Sequence, residues 1–116
     1  MDQSFPKSAR LLKRREFDRT FDEGTVLKDH RLVIHCADGL TDRTRLGIVI
    51  GSYVKKAVRR NRLKRVIRAG FRTIREELPE GYDLVIIPRN TVSLTSDEVR
   101  DSLRTLLTEK NMEQDG

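Results

Sequence analysis

Apolar and polar positions alternate with recognisable periods along this chain, and those periods predict its elements. Between residues 13 and 22, Phe17 and Phe21 fall one turn apart on a single helical face, with Leu11 and Leu12 leading in and Gly24 placed to stop the helix. Arg31-Leu32-Val33-Ile34-His35-Cys36 is apolar and β-prone. Asp38-Gly39 and Thr41-Asp42 then supply turn residues before a second such run, Arg45-Leu46-Gly47-Ile48-Val49-Ile50. Together the two runs predict an antiparallel hairpin.

From residue 55 to 78 the period changes, and Leu63, Ile67, Gly70, Phe71, Ile74 and Leu78 recur at helical spacing. This predicts the longest helix, ended by Pro79-Glu80-Gly81. Tyr82-Asp83-Leu84-Val85-Ile86-Ile87 follows as a strand whose nearly continuous apolar character predicts burial on both faces, closed by Pro88. Thr95 and Glu98 have the spacing of a capping box before a last helix, where Val99, Leu103, Leu106 and Leu107 mark one apolar face to about residue 110. The tail from Asn111 is expected to fray. There is no internal repeat and no low-complexity linker. The elements therefore predict one α+β domain over residues 1–116, with its core within about 8–110: a single-domain α/β sandwich whose two longer helices pack on a central sheet.

Composition narrows the picture. With 116 residues, 36% apolar and 36% charged, the chain can build one modest core beneath a heavily charged surface. No apolar run approaches the ~20 residues needed to cross a bilayer, and Met1-Asp2-Gln3-Ser4-Phe5-Pro6 is not a hydrophobic signal segment. A cytoplasmic location without membrane association is expected. Cys36 is the sole cysteine, which excludes an intramolecular disulfide and a cysteine-based metal cluster; its apolar neighbours mark it as core.

The net charge is +6, but its distribution says more: residues 43–75 carry twelve Lys or Arg and no Asp or Glu, leaving twelve basic and eighteen acidic residues elsewhere. Such segregation concentrates a positive field that attracts a polyanion, nucleic acid first. On a helical projection Asn61, Lys64, Arg65, Arg68, Arg72 and Arg75 share one stripe, opposite the Leu63, Ile67, Gly70 and Ile74 stripe. A charge run is ordinarily a solvated face, yet such faces usually mix signs to gain Glu–Lys pairs. Arginine can clamp phosphate oxygens with two parallel donors, and lysine serves as a point charge. Local chemistry alone leaves Asn61, between Arg60 and Arg62, an incidental surface amide.

The run Ala57-Val58-Arg59-Arg60-Asn61-Arg62-Leu63-Lys64-Arg65-Val66-Ile67-Arg68 resembles the Arg-Asn-Arg signature of the bacterial ribonuclease P protein family. Its flanks agree: Leu46-Gly47-Ile48-Val49-Ile50 before it, Tyr82 to Arg89 after it, and Arg15-Glu16-Phe17 with Phe21 and Gly24 upstream, so that the resemblance covers roughly residues 8 to 108. It implies a mixed central β-sheet with a left-handed βαβ crossover, against the usual right-handed rule, as in the second domain of a small-subunit ribosomal protein. It also implies a division of labour. The RNA subunit carries the magnesium ions and the phosphodiester hydrolysis, and the protein, inactive alone, contributes no catalytic residue, binds no metal and needs no obligate protein partner. Its partners would be the catalytic RNA and precursor tRNA, whose 5′ leader the ribonucleoprotein removes.

By motif position, the resemblance assigns Arg60, Asn61, Arg62, Lys64, Arg65 and Arg68 to contact with the catalytic RNA, with Arg72 continuing the stripe. Arg60 and Arg62 lie off that stripe and are expected to act from the first turn or the preceding loop. Phe17 and Phe21 match aromatic positions beside a cleft for the single-stranded leader, where rings stack on bases without demanding a sequence; Lys13 and His35 join that set. Two Phe at this spacing on a short helix are more ordinarily core, so at least one is expected to be largely buried. His35 and Leu32 stand where relatives often carry aromatics. Strand alternation puts His35 and Val33 opposite Leu32, Ile34 and Cys36, which leaves His35 either facing the cleft or partly buried in a structural role.

Gly51-Ser52-Tyr53-Val54-Lys55-Lys56 departs from the family pattern, in which lysines directly follow the strand. Lys55 and Lys56 retain the positive charge at a shifted place, and Tyr53 is expected to pack. Two other functions compete. A free-standing protein nuclease lacks a convincing histidine pair or a carboxylate cluster beside the basic helix. A DNA- or ribosomal-RNA-binding module would use the basic helix as a groove reader, but neither a dimerisation seam nor helix-turn-helix spacing supports it.

Overall fold

The computed structural model describes residues 10–89 and 93–111. Its elements are α1 (Arg14–Glu23), β1 (Thr25–Lys28), β2 (Leu32–Asp38), β3 (Arg45–Ile48), α2 (Ala57–Ile74), β4 (Tyr82–Pro88) and α3 (Ser96–Leu103). A 3-10 turn, Arg75–Glu77, extends α2, and a π-helical segment, Arg104–Asn111, extends α3. The tail beyond Asn111 lies outside the described residues.

The four strands form one mixed sheet in the order β1-β2-β4-β3. β4 is central. It pairs antiparallel with β2 along the whole register from Leu32 opposite Pro88 to Asp38 opposite Tyr82, and parallel with β3 from Arg45 opposite Asp83 to Ile48 opposite Ile86. The hairpin expected between the second and third strands is therefore absent: β2 and β3 run in opposite directions, but β4 lies between them. The continuous apolar character of β4 explains the insertion. A strand buried on both faces gains most from neighbours on both edges, and the 18-residue α2 supplies the long crossover that parallel pairing of β3 with β4 requires. β1 was not anticipated from the sequence. It is four residues long and mostly exposed, so it has no strong alternation to reveal it, and it forms only by pairing with β2 from Thr25–Cys36 to Lys28–Val33.

One face of the sheet carries the main core. Leu32, Ile34 and Cys36 of β2, with Leu46, Leu84 and Ile86, pack against Leu63, Ile67, Phe71 and Ile74 of α2 and against Val99 and Leu103 of α3. Leu106 and Leu107 continue that contact. The expected apolar stripe of the long helix is thus buried as predicted. α2 and α3 approach so closely that a Cβ on Gly70 would stand 2.7 Å from Val99 and 2.8 Å from the Ser96 carbonyl oxygen. The capping box forms at α3, where Thr95 Oγ1 accepts from the Glu98 amide at 3.2 Å and Glu98 accepts from the Thr95 amide at 3.1 Å.

The opposite face receives α1. Glu16 caps that helix by accepting from the amides of Leu12 and Lys13 at 2.8 and 3.0 Å. Gly24 ends it because a Cβ there would lie 2.5 Å from the Thr20 carbonyl oxygen and 3.0 Å from that of Cys36. Close approach of backbone requires this glycine.

Candidate nucleic-acid interface

With one face of α2 buried on the sheet and α3, its charged face points away from the core. Asn61, Arg65 and Arg72 are exposed, and Lys64, Arg68 and Arg75 are half-buried. Like charges surround Arg68: its pKa is lowered first by burial, then by Arg10, Arg72 and Arg65. Burial and Arg43 do the same to Arg75, opposed by Glu80. Guanidinium groups remain protonated at neutral pH despite such shifts, so the outcome is a concentrated positive field rather than a neutralised one.

Arg60 and Arg62, which the projection placed off the stripe, are occupied within the protein. Arg60 donates through Nη1 to the carbonyls of Gly51 (3.1 Å) and Val54 (3.0 Å), and through Nη2 to that of Ile50 (3.2 Å). Arg62 is exposed but donates one bond, 3.1 Å, to the Leu94 carbonyl. Lys55 and Lys56 are exposed on the loop that opens α2. The Tyr53 hydroxyl donates to the Pro88 carbonyl and its ring lies against Gly51, yet the residue remains 46% exposed, so the packing expected of it is partial.

On the other face of the sheet, Phe17 lies over Gly47, where a Cβ would come within 2.5 Å of the ring. Only glycine makes room for it. Phe21 is 36% exposed and meets His35 edge-to-face, with ring centroids 4.7 Å apart at 85°. The two rings are divided: Phe17 is mostly covered, though not fully buried, in line with the expectation that at least one would be largely buried, and Phe21 is the more exposed. α1 rests on a sheet face where His35, Val85 and Gly47 lie side by side across the strands, a histidine and a glycine flanking a fully buried valine. His35 faces this side and is half-buried, which unites the two readings that the sequence left open. Burial lowers its pKa, and Nδ1 is buried without a hydrogen-bond partner. Leu32 and Cys36 are buried on the opposite face. Lys13 is exposed at the start of α1 and borders a groove of about 310 Å³ with Arg10, Glu16 and Arg43.

Cationic face and aromatic shelf meet. A groove of about 170 Å³ along the edge of β3 is lined by Arg10, Phe17 and Gly47 on one side and by Lys64 and Arg68 on the other. Arg10 reaches it because the incoming chain pairs with Leu46, whose carbonyl accepts from the Leu11 amide at 3.0 Å. Periodicity alone did not single out Arg10; its proximity to Arg68 is a tertiary fact.

Sequence reading also missed the network that seats α1. Asp83, fully buried, accepts from Arg45 Nε (3.0 Å), Arg45 Nη2 (2.9 Å) and Arg19 Nη2 (2.8 Å). Arg45 Nη1 reaches Glu16 at 3.2 Å. Hydrogen bonds from the Lys13 and Leu12 amides, together with Arg45, hold the Glu16 pKa low against the opposing effect of burial. The available signal was an acidic residue inside an otherwise apolar strand. Among the described residues no group of three or more His, Cys, Asp or Glu is arranged to hold a metal ion. Asp83 and Glu16 accept from arginine instead.

Comparison with known proteins agrees with this geometry. The family model for Ribonuclease P matches residues 5–111. The ribonuclease P protein component of Desulforapulum autotrophicum is 40% identical over 114 residues, covering 97% of each chain. That of Thermotoga petrophila is 39% identical over 99 residues, covering 85% of each. Among solved structures, the RNase P protein from Thermotoga maritima superposes with a TM-score of 0.76 at 38% identity, over 84% of this chain and 94% of that one. A Staphylococcus aureus RNase P protein gives 0.74 at 26% identity, over 86% and 93%. Sequence, sheet order and the cation-bearing crossover helix thus converge, and the chain belongs to the ribonuclease P protein family.

Proposed function

We propose that this chain is the protein subunit of the ribonuclease P ribonucleoprotein, gripping the catalytic RNA with α2 and the precursor-tRNA 5′ leader with the cleft between α1 and the sheet. The supporting observation is the groove in which Phe17 and Gly47 adjoin Lys64, Arg68 and Arg10. A polynucleotide following it would place bases against rings and phosphates against cations, which is how single strands are bound without sequence preference. Lys13, Phe17, Phe21 and His35 form the leader side. Asn61, Lys64, Arg65, Arg68 and Arg72, with Lys55, Lys56 and Arg62, form the RNA-subunit side.

Phosphodiester hydrolysis, with its magnesium ions, belongs in this reading to the RNA subunit. The protein raises local RNA concentration, screens phosphate repulsion and orients the leader. A cytoplasmic place of action follows from the partners, and no described helix is long and apolar enough to cross a membrane. The test is cleavage of precursor tRNA at low magnesium by the protein alone, by cognate RNA alone and by both. Turnover only when both are present is expected; robust turnover by the protein alone would overturn the division of labour. Competition with duplex DNA and ribosomal RNA at matched salt adds a second check, since equal affinity for all three would leave only generic polyanion binding.

A further inference from the structure

The surroundings of Arg60 differ from those of Arg68 on the α2 stripe, which other arginines crowd. Arg60 lies in the first turn of the helix, yet its guanidinium turns back along the chain to the carbonyls of Ile50, Gly51 and Val54, at 3.0 to 3.2 Å. Three of its five N–H donors are thereby directed at its own backbone. Those carbonyls belong to the tight bend in which the chain leaves β3, where the Val54 amide also donates to the Gly51 carbonyl at 3.2 Å. Tyr53 holds the same bend from the other side, its ring against Gly51 and its hydroxyl on Pro88 of β4. Carbonyls turned inward at a partly buried bend need donors, and leaving them unmet costs more than a surface hydrogen bond gains.

We propose that Arg60 is a positioning residue of the RNA-binding face: it braces loop 50–54, fixes the direction in which α2 begins, and so sets Lys55, Lys56 and Asn61 for contact. The proposal rests on the reading of α2 as that face. It divides the Arg-Asn-Arg signature by task. Arg60 turns inward, Asn61 stands exposed, and Arg62 spends one donor on the Leu94 carbonyl while its side chain stays exposed. A lysine at position 60 would keep the charge but, as a single ammonium on a flexible stem, would not reproduce a planar fork spanning three carbonyls. At a phosphate contact the same exchange preserves most of the electrostatic attraction.

Charge-conserving variants separate the two roles. Affinity for ribonuclease P RNA across a salt series, and amide hydrogen exchange of residues 50–56 in the free protein, would be measured for Arg60→Lys, Arg60→Ala, Tyr53→Phe, Arg65→Lys and Arg65→Ala. Arg60→Lys is expected to lose about tenfold in affinity, equivalent to two or so ordinary hydrogen bonds, with its salt slope unchanged and its loop amides deprotected before any RNA is added. Arg60→Ala should match it, and Arg65→Lys should stay within about threefold of the parent. Tyr53→Phe should deprotect the same amides more weakly. Parental affinity and parental loop protection in Arg60→Lys would overturn the brace. Should the Arg60 variants fail to fold, Tyr53→Phe decides, and undisturbed protection and affinity there would overturn it equally. A salt slope that stays at the parental value in every variant, Arg65→Ala included, would instead sink the RNA-binding reading, while loop protection in free protein would still report on the brace.

Discussion

Arginines on the α1 face of the sheet meet carboxylates, whereas Arg68 on the outer face of α2 meets other arginines. Arg45 and Arg19 converge on fully buried Asp83, and Arg45 also reaches Glu16. Arg68, by contrast, is crowded by Arg10, Arg72 and Arg65. In the first region charge is matched and joins β3, β4 and α1 into one unit. In the second, around Arg68, like charges are crowded together by a helix whose other side is anchored in the core, at a cost in repulsion. The side chain is the same in both places; the supply of carboxylates decides whether its charge is neutralised within the fold or left to build a positive field.

The strongest way to break this comparison is to unmatch the matched side. Asp83→Ala leaves two arginines without their shared acceptor and should cost about 3–5 kcal/mol in urea unfolding, the range for breaking a buried pair on one side. A loss under about 1 kcal/mol would show that the network contributes little to the seating of α1. Phe21→Ala comes next. Affinity for leader-bearing precursor tRNA should fall by about 1–3 kcal/mol for each base that no longer stacks, with mature tRNA affinity unaltered. Equal losses for both ligands would remove Phe21 from the leader path.

On the α2 side, Arg65→Ala should leave the urea midpoint unchanged or slightly raised while lowering RNA affinity, and should flatten the log–log salt dependence by about 0.7–0.9 for one phosphate no longer neutralised. An unaltered slope would count against direct contact. The smallest effect is expected at His35. Its folded-state pKa is depressed by burial, so the unfolded chain binds the proton more readily. Its contribution is therefore fully present above the ordinary imidazole value of about 6.5 and declines as pH falls below it towards the lowered folded value. Urea unfolding at pH 7.5 and 5.5 should show that decline, and His35→Phe should reduce it. A His35→Phe variant with the full parental pH dependence would assign the proton uptake to other groups.

Sequence periodicity carried the elements that rest on local rules. The α2 core stripe, the α3 capping box, the double-sided burial of β4 and the opposition of His35 to Leu32 each depend on spacing within one segment, and each is present. Charge segregation, likewise a linear property, identified the cationic face. The hairpin failed for the complementary reason. Two apolar runs separated by turn residues satisfy every local requirement for pairing, and nothing within them reports that a strand some 35 residues later competes for the same edge.

By itself, then, the sequence determined which segments other than β1 become helix or strand, which faces those segments bury, the sign of the exposed field and, through the Arg-Asn-Arg run, the family resemblance. Tertiary structure alone decided that β4 enters between β2 and β3, that Phe17 rests on Gly47 beside Arg68, that Asp83 gathers Arg19 and Arg45, and that Arg60 turns inward to three carbonyls. The reason is physical. Periodicity fixes the direction of a side chain relative to its own segment, but its partner is set by how segments compete for shared edges, space and hydrogen-bond donors once the chain is compact.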